Sequence, residues 1–212
     1  MSEIDNKLQL ESKITKSVDQ KKNWRKIQKW YTNGKHNECE IYQKGLIKDI
    51  TGYTLEKTNH RLNTTTGEMK CLKNPMCFID GYEWTEDFDG IICKDSNVYY
   101  FNLKFICDRG GSQTRSLREV YHFIRYQLNY LTKNKYPTIT IPVESGKNES
   151  NDTKRDNSNV IFVNILDGDT SHSAMPKYKF LLGKKQYTDI QENIFVGDMY
   201  TFVKYWKEHI CS

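Results

Sequence analysis

Asp89 and Lys104 stand in adjacent predicted strands, and together they suit one chemistry. The stretch from Glu83 to Phe105 reads as two strands joined by a polar turn, Lys94-Asp95-Ser96-Asn97. The first strand is expected to end in an acidic cluster around Asp89. The second, Val98 to Ile106, is aromatic-rich and carries Lys104 among apolar neighbours. A carboxylate and a lysine so placed are what metal-dependent phosphodiester hydrolysis needs. The carboxylate holds a divalent ion, and the lysine supports the attacking water or the developing charge. The purely structural alternative is a salt bridge between the strands, since a lysine between Leu103 and Phe105 is costly unless paired.

Asp89-Gly90, followed one hairpin later by Asn102-Leu103-Lys104, resembles the core of the PD-(D/E)xK nucleases, the superfamily that includes most type II restriction endonucleases. Phe88 stands where that pattern has proline, and Asn102 where it has an acid. The resemblance implies an α/β (α+β) fold, a restriction-endonuclease-like mixed sheet flanked by helices, over about residues 36–210. It implies Mg²⁺ as cofactor, with Mn²⁺ as a substitute. Asp89 would bind the metal, Asn102 would help place metal or water through its oxygen, and Lys104 would orient the nucleophile. An amide oxygen is a weaker ligand than a carboxylate, so another acid is expected to compensate. In a subset of restriction enzymes it lies on the helix after the lysine strand, where Glu119 stands at a similar spacing. Glu38 and Glu40, opening an earlier helix, are the other candidates. Each has a plainer use: Ser116-Leu-Arg-Glu119 fits a capping box, placing Glu119 in a first turn, and acids at a helix start complement its dipole.

The activity implied is Mg²⁺-dependent, sequence-specific hydrolysis of double-stranded DNA by a type II restriction enzyme, with a homodimer serving the two strands. Two alternatives stay open: a repair or junction nuclease of the same fold, and a non-catalytic DNA-binding protein on a decayed nuclease fold. Expected DNA contacts are Lys57, Arg61, Arg109, Gln113, Arg115 and Arg118, the later ones feeding a glycine-rich helix start that suits phosphate. A second grouping, Asp167, Asp169, His172 and Asp198, reads chiefly as turn chemistry.

The elements that must position these residues follow from periodicity. Residues 1–20 form a polar arm, and 21–212 a single nuclease-like domain. Residues 21–35 read as a basic, aromatic amphipathic helix, 36–52 as a second helix stopped by Gly52, and 53–75 as a polar loop. A long helix runs from about Ser116 to Lys133 on the stripe Leu117, Val120, Ile124, Leu128, Leu131. Tyr136 to Glu144 alternates as a strand, and 145–158 is a flexible loop. Val160 to Leu166 is a continuous apolar strand, as in a sheet covered on both faces. Residues 170–192 read mostly as loop, Asn193 to Asp198 as a short strand, and Met199 to His209 as a final helix.

Length and composition agree with this. The chain has 212 residues, enough for one domain, and its 14 tyrosines and 9 phenylalanines support a packed core rather than disorder. No apolar run reaches membrane-spanning length and Met1-Ser-Glu-Ile-Asp lacks signal-peptide character, so a cytoplasmic location is expected. The six cysteines form no CxxC pair or zinc spacing and read as reduced thiols.

Overall fold

A computed structural model describes Ile4, Leu8, Gln28, Trp30, Tyr31 and residues 37–84, 86–107, 110–134, 139–140, 154–155 and 159–209. Most of the expected arm, the 21–35 helix and the 145–158 loop lie outside the described residues, as do Arg109 and Cys211. The remaining five cysteines are free thiols.

The central hairpin forms as its turn residues dictate. β4 (Gly90–Lys94) pairs antiparallel with β5 (Asn97–Phe105), and Asp95 turns the chain at φ +55°, a left-handed conformation that a short Asp side chain tolerates. β4 opens just after Asp89, so the acidic cluster precedes this strand rather than ending it. β5 then runs parallel to β8 (Asn159–Asp167), and β8 parallel to β9 (Ile194–Gly197), giving a mixed four-stranded sheet in the order β4-β5-β8-β9. A parallel pair requires a crossover connection. α2 (Gly111–Lys133) makes part of the link from β5 to β8, and α3 (Asp169–Leu182) with the 3₁₀ segment Lys185–Asn193 links β8 to β9.

Both sheet faces are covered. Val98, Tyr100 and Phe162 pack beneath Phe123, Ile124 and Leu128 of α2 and Tyr178 and Leu181 of α3. On the other face, Tyr99, Phe101 and Val163 pack beneath Leu46 and Ile47 of α1 (Glu38–Thr51) and Phe202 and Trp206 of α4 (Met199–His209). Leu8 is buried in that second layer. Each such side chain contributes roughly 1.5–3 kcal/mol of transfer free energy, so the layering is what makes β5 and β8 apolar on both faces. Gly52 ends α1 at φ +78°, as its position predicts.

Three sequence expectations change. Residues 53–75 are not all loop: β1 (His60–Leu62) pairs with β2 (Met69–Cys71) and with β3 (Glu86–Asp87) in a small antiparallel sheet. Residues 170–192 are mostly helical, with Pro176 inside α3. α2 begins at Gly111, with Thr114 N–H donating to Gly110 O, so Ser116 is interior and the expected capping box does not exist. Of the strand expected at 136–144, the described part is β6 (Ile139–Thr140), which pairs with β7 (Lys154–Arg155).

Candidate active site

The parallel strands end together at Phe105 and Asp167, and the chain gathers its polar groups along that carboxyl edge. Asp89 reaches it from the residue just before β4, the neighbouring antiparallel strand. Its backbone N–H donates to Phe101 O at 2.8 Å, and its Oδ2 accepts the Leu103 N–H at 2.6 Å. The carboxylate is thereby tied to the strand that carries Lys104. Burial pushes the Asp89 pKa above the usual carboxylate range; the Leu103 N–H and the Lys104 charge act against that, while Glu40 raises it and Lys44 lowers it.

Glu86 is the acid that the hairpin pattern does not single out. It sits in β3, and burial pushes its pKa up, with Lys104 opposing and Glu119 reinforcing the shift. Lys104 therefore stands within electrostatic reach of both Asp89 and Glu86. It is exposed, and no ion pair joins it to an acid among the described residues, so the inter-strand salt bridge is not formed. The only sequence signal for Glu86 was its membership of the acidic run before Gly90.

The other expected residues fall into different places. Glu119 lies more than two turns into α2, exposed, close enough to act on Glu86. Glu38 and Glu40 occupy the first turn of α1, and Glu40 pairs with Lys44 at 2.6 Å while still raising the Asp89 pKa. Asn102 is buried, 1% exposed, with Nδ2 donating to Asn164 Oδ1 at 2.9 Å. Gln127 joins them by donating to Asn164 Oδ1 and accepting from Asn164 Nδ2 at 2.7 Å. The Asn102 amide thus belongs to an interior cluster between sheet and helix. Arg61 is committed to the small sheet, donating to Leu72 O, Trp84 O and Asp87 Oδ2. Arg115, Arg118 and Lys57 are exposed, and Gln113 is half-buried with its Oε1 accepting from Ser112.

Two residues frame the edge that no motif flagged in this role. Gln43 of α1 donates from Nε2 to Lys104 O at 3.3 Å and to Asp167 Oδ2 at 2.7 Å. Asp167 Oδ1 in turn accepts the Met199 N–H that opens α4. Asp198 caps the same helix through Thr201, and Asp169 accepts the Thr170 N–H at the start of α3. The second acidic grouping thus serves helix starts. Trp30 stacks on Tyr42 with centroids 4.4 Å apart and meets Phe105 edge-on, walling the end of β5.

Among the described residues no three His, Cys, Asp or Glu side chains converge as a ready-made metal cage. Mg²⁺ does not require one: it binds through one or two carboxylates, waters and substrate phosphate oxygens. Asp89 fits as one such carboxylate; Glu86 lies within electrostatic reach of Lys104 but is not among the charges acting on Asp89. No helix among the described residues is long and apolar enough to cross a membrane. Compared with known proteins, the chain matches no family model, no curated protein and no solved structure.

Proposed function

We propose that the chain is a Mg²⁺-dependent DNA endonuclease of PD-(D/E)xK type, working at the carboxyl edge of β5 and β8. The observation that carries this reading is Lys104: exposed, unpaired by any acid among the described residues, and acting on two buried-shifted carboxyls, Asp89 and Glu86. The mixed sheet order and the helices on both faces support the restriction-endonuclease-like fold. Ligand sites in open α/β sheets lie outside the carboxyl ends of the strands, and this site is there.

In this reading Asp89 and Glu86 hold the ion, Glu86 taking the part expected of Asn102. Glu119 and Glu40 set the local field. A divalent ion there would supply an activated water and neutralise charge on the phosphoryl group. Lys104 Nζ holds the attacking water or a phosphate oxygen. Gln43 fixes the strand ends by bridging Lys104 O and Asp167. The substrate is double-stranded DNA, a second copy serving the second strand.

The test is digestion of unmethylated plasmid DNA with MgCl₂. Discrete fragments are expected, with Mn²⁺ substituting and Ca²⁺ supporting binding without cleavage. Asp89→Asn and Lys104→Gln are expected to lower the rate by about 100-fold or more. Cleavage that persists in EDTA, or that survives both substitutions, removes this reading.

A further inference from the structure

We propose that the groove between α2 and α3 binds single-stranded nucleic acid, separately from the cleavage edge. Tyr121, Pro176, Lys177 and Phe180 line a shallow groove of about 400 Å³ between the two helices. Phe180 is 71% exposed, an unusual state for a phenylalanine on a helix that buries Tyr178 and Leu181 beside it. The Lys184 Nζ lies 5.8 Å from its ring centroid, at the outer reach of a cation–π contact. An aromatic face with an ammonium beside it is the pairing that takes a base by stacking and its phosphate by charge.

The surroundings are selective for a polyanion. On α2, Arg118 and Arg125 lie three and four residues either side of Tyr121, hence one turn before and after it on the same face. Glu119 is the helix's single acid. Along α3 and the turn after it, no acid occurs between Asp169 and Asp189. None of Arg118, Arg125, Lys177 or Lys184 has an ion-pair partner among the described residues. These cations stand without counter-charge around an apolar groove, which disfavours a basic-rimmed partner and suits a phosphate backbone.

The geometry also gives direction. α3 leaves the carboxyl edge, and Phe180 lies eleven residues beyond Asp169. At 1.5 Å per residue that is about 16 Å along the axis, two to three nucleotides of an extended strand. A strand in the groove therefore leads away from the edge without occupying Asp89 or Lys104. The proposal goes beyond the cleavage reading and does not depend on it.

The test is fluorescence anisotropy of a labelled oligothymidine of about 15 nucleotides, in EDTA and low salt so that cleavage plays no part. Saturable binding is expected. Phe180→Ala and the pair Lys177→Glu with Lys184→Glu should each weaken it about tenfold. Lys204→Glu with Lys207→Glu, on the opposite face, should not. All substituted side chains are outside the buried core, and unchanged melting curves check the fold. No binding, binding insensitive to Phe180 and the lysine pair, or retention by phosphatidylserine vesicles through those residues without oligothymidine binding, each overturns the proposal.

Discussion

Asn102 shows how one residue type can carry two meanings. In the linear pattern it marks a missing acid; in the fold its amide joins Asn164 and Gln127 in the interior. Restoring the family's acid there would place a buried carboxylate against Asn164 Oδ1, with no donor to hold it. Asn102→Asp is therefore expected to destabilise by more than about 3 kcal/mol and to gain no activity, read by urea denaturation and by the plasmid assay. A stable, more active variant would return Asn102 to the metal site. His60 gives the pH dependence at this scale. It is 6% exposed, and burial lowers its pKa below the ordinary 6.5. Its Nδ1 lies 3.0 Å from the Tyr100 hydroxyl and 3.1 Å from the Thr58 hydroxyl, and burial raises the Tyr100 pKa. Protonation would place a charge in the buried site. Because the folded pKa lies below the unfolded one, the stability contribution is complete above pH 6.5 and is lost as pH falls through the depressed folded value. His60→Gln is expected to be less stable at neutral pH but to show a shallower loss below pH 6.5; equal slopes in urea titrations on either side would contradict this.

At the scale of elements, the turn from β8 to α3 is the most exacting. Gly168 has φ +95°, and a Cβ there would stand 2.3 Å from Ile106 O. The same carbonyl accepts the Thr170 and Ser171 N–H groups, so it cannot move away cheaply. Gly168→Ala is expected to cost more than about 2 kcal/mol, measured by chemical denaturation, whereas Gly111→Ala, with open space at its Cβ, should be neutral or stabilising. These elements also show what the sequence could reveal. The hairpin, β8, β9, α1 and α4 were legible because turn residues and apolar periodicity agree in them. α2 was legible from Leu117 onward, but its first turn has no apolar stripe and opens on glycines, so its start was read five residues late. That error placed Glu119 in a first turn. α3 was missed because Pro176 and a polar exposed face mask its period, though Ala174, Tyr178 and Leu181 point inward. The residues of the candidate site differ in how far the sequence marks them. Asp89 and Lys104 lie one hairpin apart, within the range of local pattern. Glu86 and Gln43 reach the edge only through β3 joining a second sheet and α1 packing across β5, contacts that spacing does not encode.

For the whole molecule, the consequence of this folding is an edge where charge accumulates. α2, α3 and α4 begin at or beside the ends of β5, β8 and β9, and their N-terminal dipoles favour negative charge there. Asp89 and Glu86 nonetheless have raised pKa values, because burial outweighs the cations and N–H groups that oppose it. At neutral pH the folded chain therefore holds these carboxylates against a desolvation cost, and a divalent ion would offset it. A ligand that binds only the folded state at ten times its Kd stabilises by about 1.4 kcal/mol, which for a chain of this size raises the Tm by roughly 3–6 °C. Mg²⁺ alone, without DNA, is expected to produce a shift of that order in a thermal melt. Glu86→Gln and Asp89→Asn should each remove most of it, while Glu119→Gln, exposed on α2, should remove little. If Glu119→Gln abolishes the shift and Glu86→Gln does not, the helix acid is the second ligand, and β3 serves only to bring the small sheet against the core.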